Sequence, residues 1–296
     1  MATLTVFTPT YNRAHTLERT YRSLCSQTCR DFEWLVVDDG STDGTDSLVA
    51  GFIAENIIPV RYIYKENGGL YTGYNTAYAN ITSELCCCVD SDDFMPDDAV
   101  ETIIATWRER GGTGYAGVIG LDFDVRTGSP LGGYFPQELT ECFFLDLYTR
   151  RIHRADTKVA LRTDLMQAVA PMTGFPGEKN FNPVYMQLQV CDVHPLLVVN
   201  KNLCWVEYQT GADSMSAGIW HQYANSPRSF AKQRRLEMGL RRSSAANRAR
   251  CAIHYVASCI LARDKKWLSA SPRRLLTLAM APAGVALALL IKFKTR

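Results

Sequence analysis

Four apolar runs in the first third of the chain each end in a polar, turn-rich loop, and this restricts the fold more than any other feature. Leu4–Phe7 leads into Thr8-Pro9-Thr10-Tyr11-Asn12-Arg13, and the run around Phe32–Val37 leads into Asp38-Asp39-Gly40-Ser41-Thr42-Asp43. Val60–Tyr64 leads into Glu66-Asn67-Gly68-Gly69, and Leu85–Val89 into Asp90-Ser91-Asp92-Asp93. Amphipathic segments follow these loops, and the strands recur at intervals of roughly 25–30 residues, the pattern of a parallel sheet with crossover helices. All four loops then fall on the carboxyl edge of one sheet, where open α/β sheets hold their ligands.

The last of these loops carries the chemistry. A buried strand ending in Asp90-x-Asp92 delivers two carboxylates to that edge. Hard oxygen ligands there suit Mg²⁺ or Mn²⁺ bridging a diphosphate, because neither ion needs a complete protein cage. The plainer reading is an acidic turn that caps the next helix, for which Asp97 and Asp98 after Pro96 are good first-turn residues.

Pro9-Thr10-Tyr11-Asn12-Arg13, Val37-Asp38-Asp39-Gly40-Ser41-Thr42-Asp43, Glu66-Asn67-Gly68-Gly69, Asn75 and Asp90-Ser91-Asp92-Asp93 occur in this order. Together they resemble the glycosyltransferases of family 2, which have the GT-A fold, an α/β architecture with a Rossmann-like, mostly parallel sheet flanked by helices. The resemblance is strong over residues 3–108 and continues motif by motif to about residue 230. It implies a catalytic domain over residues 1–225, with a nucleotide-binding half (1–108) and an acceptor half (109–225). It also implies transfer of a sugar, with inversion, from a nucleotide diphosphate sugar, a UDP-sugar in the first instance.

On this resemblance the loop Pro9–Arg13 wraps the nucleotide. Pro9 stiffens the turn, Tyr11 offers an aromatic face, and Asn12 supplies short-range donors and acceptors. Asp39, with Asp38 as its competitor, accepts from the base or ribose, and Gly68 and Gly69 let the backbone come close to a bound group. Asp92 is the expected direct metal ligand, Asp90 serves the ribose or a water-mediated contact to the metal, and Ser91 lies between them. Mn²⁺ or Mg²⁺ there neutralises the leaving nucleoside diphosphate. The chain has Leu70-Tyr71 where the family often carries Lys-His, which bears on donor identity.

In the acceptor half, a strand at Gly117–Leu121 precedes Asp156-Thr157-Lys158, similar to a family segment usually written Gly-Asp-Lys. Phe175-Pro176-Gly177-Glu178-Lys179 resembles a string whose first acid is the family's presumed general base; Val184 stands where a second acid is common. Glu178 is therefore the expected base and Asp156 the alternative. One base is sufficient for direct displacement, and the plain reading of Glu178 is a loop acid paired with Lys179. Tyr208–Ser216 resembles the segment that closes over the donor diphosphate, and His221 and Arg228 just downstream are weaker phosphate or metal candidates. His15, His153, His194 and His254 lack metal-ligand spacing and read as structural.

Charge divides the chain. Residues 226–296 hold half of the 32 lysines and arginines, with Glu237 and Asp264 as their only acids. They read as a basic helical extension, and within it residues 275–291 are apolar apart from Thr277, Pro282 and Gly284, with Arg273-Arg274 before and Lys292 and Lys294 after. That segment would be about 25 Å long as a helix, short of the ~30 Å hydrocarbon core. With Pro282 favouring a kink, it reads as a re-entrant or interfacial membrane-associating helix, or else as a helix docked on the enzyme. The basic flanks point to an anionic membrane surface and not to nucleic acid, for which no fold signature is present. Met1-Ala2 runs directly into a strand without a secretory pattern, so the expected location is the cytoplasmic face of the membrane. The expected acceptor is a glycan on a polyprenyl diphosphate lipid.

The ten cysteines form no C-x-x-C pair. Cys86-Cys87-Cys88 suit reduced core positions on alternate strand faces. Two rival readings stand beside the transferase. A sugar-phosphate nucleotidyltransferase would open on a glycine-rich phosphate loop, which Thr8–Arg13 lacks. A non-catalytic glycan-binding or scaffold subunit would be favoured by Leu70, Tyr71 and Val184, and is opposed by the intact Asp90, Asp92 and Glu178.

Overall fold

The computed structural model describes residues 2–207 and 218–295. The expected donor-closing segment, Tyr208–Ser216, lies outside the described residues. The first half alternates β1 (Leu4–Thr10), α1 (Ala14–Cys25), β2 (Phe32–Asp38), α2 (Thr45–Glu55), β3 (Val60–Tyr64), α3 (Leu70–Asn80), β4 (Leu85–Cys88) and α4 (Ala99–Arg110). Then come β5 (Gly117–Asp124), the short β6 (Ser129–Pro130) and β7 (Glu141–Cys142), α5 (Phe144–Thr149), β8 (Thr157–Arg162), α6 (Thr163–Val169), α7 (Val184–Cys191) and β9 (Leu196–Val206). The chain closes with α8 (Ile219–Asn225), α9 (Pro227–Gly239), α10 (Ala245–Leu261) and α11 (Arg274–Lys294).

One sheet runs through the molecule in the order β3-β2-β1-β4-β8-β5-β9-β7, with β6 beside β5. The first four strands are parallel. Beyond them the sheet is mixed, because β8 enters antiparallel between β4 and β5. Apolar side chains fill both faces. Cys86 belongs to the cluster of Phe7, Leu35, Tyr78 and Met186, whereas Cys87 belongs to that of Val6, Trp34, Ile103 and Trp107. Adjacent cysteines thus serve opposite cores, as strand alternation requires.

β1 extends to Thr10, so Pro9 and Thr10 are strand residues and not loop. Pro9 stays in register with Val37 of β2, and it is tolerated in this central strand because β4 pairs with β1 only as far as Phe7, which leaves no partner on that side for the N–H that proline lacks. The insertion of β8 is what builds the site. Its register sets Cys87 opposite Ala160 and Leu121 opposite Thr157, so the start of β8 lies beside the Asp90–Asp93 turn. One further step of the β5–β8 register brings Asp122 level with Asp156.

The C-terminal helices are tied to the rest of the fold by specific bonds. Asp192, at the end of α7, accepts hydrogen bonds from the backbone N–H groups of Arg241 (2.9 Å) and Arg242 (3.0 Å). Leu240 belongs to the same cluster as Phe181 and Met186. Tyr223 of α8 stacks on Phe230 of α9 at 3.9 Å and bonds His254 of α10 at 2.9 Å. Burial, with Arg234 and Arg250 nearby, pushes His254 down to about 4, so it is neutral at pH 7 and structural.

α11 is a single helix of 21 residues, continuous through Pro282. At 1.5 Å per residue it is about 31 Å long. Its Thr277, Gly284, Ala288 and Ile291 form a buried stripe. Gly284 lies against Val256 and the Ile253 carbonyl of α10, where a Cβ would meet Val256 at 2.5 Å. The opposite stripe faces outward, with Leu275 86% and Phe293 73% exposed and Leu278, Leu289 and Leu290 also open. The helix is docked by one face and carries an uncovered apolar face on the other.

Candidate active site

The carboxyl ends of β1, β2, β3 and β4 bring together Thr10–Arg13, Asp38–Asp43, Lys65–Gly69 and Asp90–Asp93, the four loops that the sequence pattern places on one edge. Tyr11 is 49% exposed there. Asn12 takes a left-handed backbone conformation (φ 52°). Its side-chain Oδ1 accepts from the Thr42 N–H at 2.8 Å, and its own N–H donates to Ser41 Oγ at 2.9 Å. The Asn12 side chain therefore joins the first two loops. Thr10 Oγ1 is buried without a hydrogen-bond partner among the described residues.

Asp38 and Asp39 are both buried, and the protein itself engages both carboxylates. Asp38 accepts from the Ser41 N–H (2.7 Å) and Tyr62 Oη (2.7 Å). Asp39 accepts from the N–H groups of Gly68 (2.9 Å) and Gly69 (2.8 Å) and forms an ion pair with Lys65. The glycine N–H groups thus turn inward onto Asp39. Gly69 has φ 92°, and a Cβ there would stand 2.7 Å from the Lys179 carbonyl, so the close approach it permits is to the loop that precedes α7. Lys179 Nζ in turn donates to Asn67 Oδ1 at 2.5 Å. Asn75 exchanges two hydrogen bonds with the backbone of Met172, at 3.0 and 2.8 Å. Tyr71 packs on Gly174 and lies 5.9 Å from the Phe181 ring, which gives the departure at Leu70-Tyr71 a packing role.

The acidic turn is fixed by its backbone. The Asp93 N–H donates to the Asp90 carbonyl at 3.0 Å. Arg19 donates to the Asp92 carbonyl at 2.6 Å while pairing with Glu207 at 2.7 Å, and Thr20 Oγ1 donates to the Asp93 carbonyl at 2.8 Å. With the main chain held from α1, the side chains are left to act. The half-buried Asp92 carboxylate has no hydrogen-bond or ion-pair partner among the described residues. Asp93 instead turns inward to Lys158, 3.9 Å away.

Lys158, which the sequence shows only as part of the Asp156-Thr157-Lys158 string and without a role, is central to the cluster. It is buried, and although burial alone would lower its pKa, Cys204, Asp122, Asp93 and Asp90 together hold it well above the ordinary lysine range. Around this cation burial pushes Asp93 up to about 8 and Asp122 up to about 6, with Lys158 opposing both shifts. One oxygen of Asp122 has no hydrogen-bond partner among the described residues. The available signal was a lysine at an inward position of Thr157-Lys158-Val159-Ala160, which is costly to bury without anionic partners. Asp156 is exposed at the start of β8 and close enough to Asp90 and Asp122 to raise both.

Glu178 is held by the backbone of α9. It is buried, and its two oxygens accept from the backbone N–H groups of Arg228 (3.0 Å) and Ser229 (2.7 Å) in the first turn of α9. That is the geometry of an anion stabilising a helix N-terminus. His221 is exposed on the first turn of α8. Among the described residues no three His, Cys, Asp or Glu side chains converge as a metal cage. A cation held by Asp92 and Asp90 would take its remaining ligands from outside the protein, the usual habit of Mg²⁺ at phosphate sites.

The sequence pattern of the family described as Glycosyl transferase family 2 matches residues 5–166, more than half of the chain. The chain belongs to glycosyl transferase family 2. Among its relatives, GlyA, a glycosyltransferase of Streptococcus pneumoniae serotype 4, is 37% identical over 100 residues, covering 34% of this chain and 14% of GlyA. The chondroitin synthase of Escherichia coli is 34% identical over 106 residues, covering 36% of this chain and 15% of that protein. The chain thus spans about a seventh of the length of these relatives.

Among solved structures, S. aureus TarS 1-349 in complex with UDP-GlcNAc aligns over 100% of this chain and 92% of its own, with a TM-score of 0.60 and 17% identity. The mannosyltransferase PcManGT from Pyrobaculum calidifontis, in complex with GDP-Man and Mn²⁺, aligns over 97% and 87%, with a TM-score of 0.57 and 15% identity. These likenesses extend over the full chain and establish the GT-A fold.

Proposed function

We propose that the protein transfers a sugar, with inversion, from a nucleotide diphosphate sugar, in the first instance a UDP-sugar, to a glycan acceptor carried on a polyprenyl diphosphate lipid in surface polysaccharide synthesis. The observation that carries the reading is the Asp92 carboxylate, without a partner among the described residues, on a turn whose backbone is fixed by Arg19 and Thr20. The UDP-GlcNAc complex of TarS and the GDP-Man and Mn²⁺ complex of PcManGT support the donor class. Asp92 and Asp90 would hold a divalent cation, Mn²⁺ or Mg²⁺, which supplies positive charge to the leaving diphosphate as the bond to C1 breaks. Tyr11 offers a face to the base, and Asn12, Arg13 and the Lys65–Gly69 loop shape the nucleotide pocket around Asp38 and Asp39.

The base assignment moves from Glu178 to Asp156 in this reading. A general base must be reachable by the acceptor hydroxyl from solvent. Glu178 is buried against α9, whereas Asp156 is exposed beside Asp90 at the mouth of the site. Glu178 then positions α9 against the acceptor-half loop. Inversion is tested by nuclear magnetic resonance of the product made from an α-linked UDP-sugar. A β-glycoside is expected, and an α-glycoside overturns the single-displacement reading.

We assign the protein to the cytoplasmic face of the membrane through α11, lying in the interface. The outward stripe of Leu275, Leu278, Leu289 and Phe293 is flanked by Arg273, Arg274, Lys292 and Lys294, as an interfacial helix with basic ends requires. Removing the helix outright would uncover the apolar face of α10, so the test keeps it. Replacing Leu275, Leu278, Leu289 and Phe293 together by Gln is expected to lower binding to anionic vesicles by at least about 10³-fold, since each apolar side chain is worth roughly 1.5–3 kcal/mol of burial. Thermal unfolding should change little, because none of the four is in the buried stripe. Unaltered sedimentation with vesicles would refute the anchor.

A further inference from the structure

A basic groove of about 460 Å³ lies where α7, α9 and the segment leading into α11 meet, lined by Tyr185, Lys232, Arg235, Arg241, Ala270 and Pro272. Arg235 and Arg241 are exposed, and neither guanidinium has a hydrogen-bond or ion-pair partner among the described residues. Asp192 also borders the groove, but its two oxygens accept from the backbone N–H groups of Arg241 and Arg242. Lys232 donates to the Thr173 carbonyl at 2.7 Å and lies 5.4 Å from the ring centres of both Phe181 and Tyr185. Burial, and after it the neighbouring Arg235, lower its pKa.

We infer that this groove seats the diphosphate of the prenyl-linked acceptor, with Arg235, Arg241 and Lys232 as its donors. This rests on the lipid-linked acceptor of the proposed function. Two placements carry it. One wall, Ala270–Pro272, runs directly into α11, whose Leu275 is 86% exposed, so cationic and apolar surfaces adjoin as the head and tail of a prenyl diphosphate do. The other wall reaches the donor side through one loop. Lys232 bonds Thr173, Gly174 packs on Tyr71, and Lys179 bonds Asn67 of the loop that encloses Asp39. A diphosphate seated in the groove leaves its sugar directed along residues 173–181 toward the acidic turn. Guanidinium groups suit the head because they bind phosphate oxygens in a bidentate manner.

The test is calorimetric titration of the full chain with geranyl diphosphate, which carries the prenyl diphosphate without its sugar on a short tail, beside titration with UDP and Mn²⁺. The expected result is binding of geranyl diphosphate that Arg235→Gln/Arg241→Gln weakens by at least about tenfold, the worth of a charge-assisted contact, with UDP binding unchanged. Equal affinity in wild type and variant overturns the proposal. Wild type that binds UDP but not geranyl diphosphate also overturns it and leaves sugar transfer standing, whereas binding of neither removes both. If the variant loses only its binding to phosphatidylglycerol vesicles and keeps that to geranyl diphosphate, the groove serves bilayer headgroups and the proposal fails.

Discussion

Asp92→Asn is expected to lower sugar transfer by at least about 10³-fold, because several kcal/mol of charge stabilisation at the leaving diphosphate pass through this carboxylate and each 1.36 kcal/mol is tenfold in rate. Its backbone is held by Arg19 and its side chain has no partner among the described residues, so the substitution leaves the fold intact. The same change should weaken UDP binding in Mn²⁺ far more than in EDTA, since the lost charge acts through the ion. Calorimetric titration in both buffers checks this. Wild-type transfer that is equal with and without chelator would refute the metal assignment.

The second large effect separates chemistry from binding. Asp156→Asn should reduce transfer by roughly 10²–10⁴-fold, the usual worth of a general base, and leave UDP affinity in Mn²⁺ nearly unchanged. Glu178→Gln should do the reverse. An amide turned onto the N–H groups of Arg228 and Ser229 loses the charge and sets one donor against another, which costs about 1–3 kcal/mol of stability. Transfer per folded molecule should stay near the wild-type rate below the unfolding range. Rates from single-turnover assays and midpoints from calorimetry decide it. A Glu178→Gln enzyme that is stable but inactive, beside an active Asp156→Asn enzyme, returns the base to Glu178.

The parallel half of the fold and the four loops at its edge were legible because each strand stops at turn residues, and parallel strands place those stops on one side. The entry of β8 between β4 and β5 was not, since the strands it joins lie far apart in sequence and no local signal marks an antiparallel insertion. Asp122 and the role of Lys158 were hidden for that reason, as each makes sense only beside the other. Side-chain identity was read more reliably than side-chain commitment. Asp38, Asp39 and Asn75 occupy the expected loops or helix, yet their polar atoms are engaged by Tyr62, Lys65 and Met172 respectively, partners that only the folded chain reveals. The apolar segment 275–291 was visible as such, but which of its faces is covered depends on Gly284 meeting Val256 of α10.

Release of the nucleoside diphosphate from a panel of nucleotide sugars, followed by chromatography with the full chain in Mn²⁺ and in EDTA, tests the central claim most directly. One donor, a UDP-sugar, is expected to give slow release in Mn²⁺ that chelation and Asp92→Asn each suppress, and a glycan acceptor should accelerate it. Release from no member of the panel, or release that EDTA and Asp92→Asn leave untouched, would contradict it.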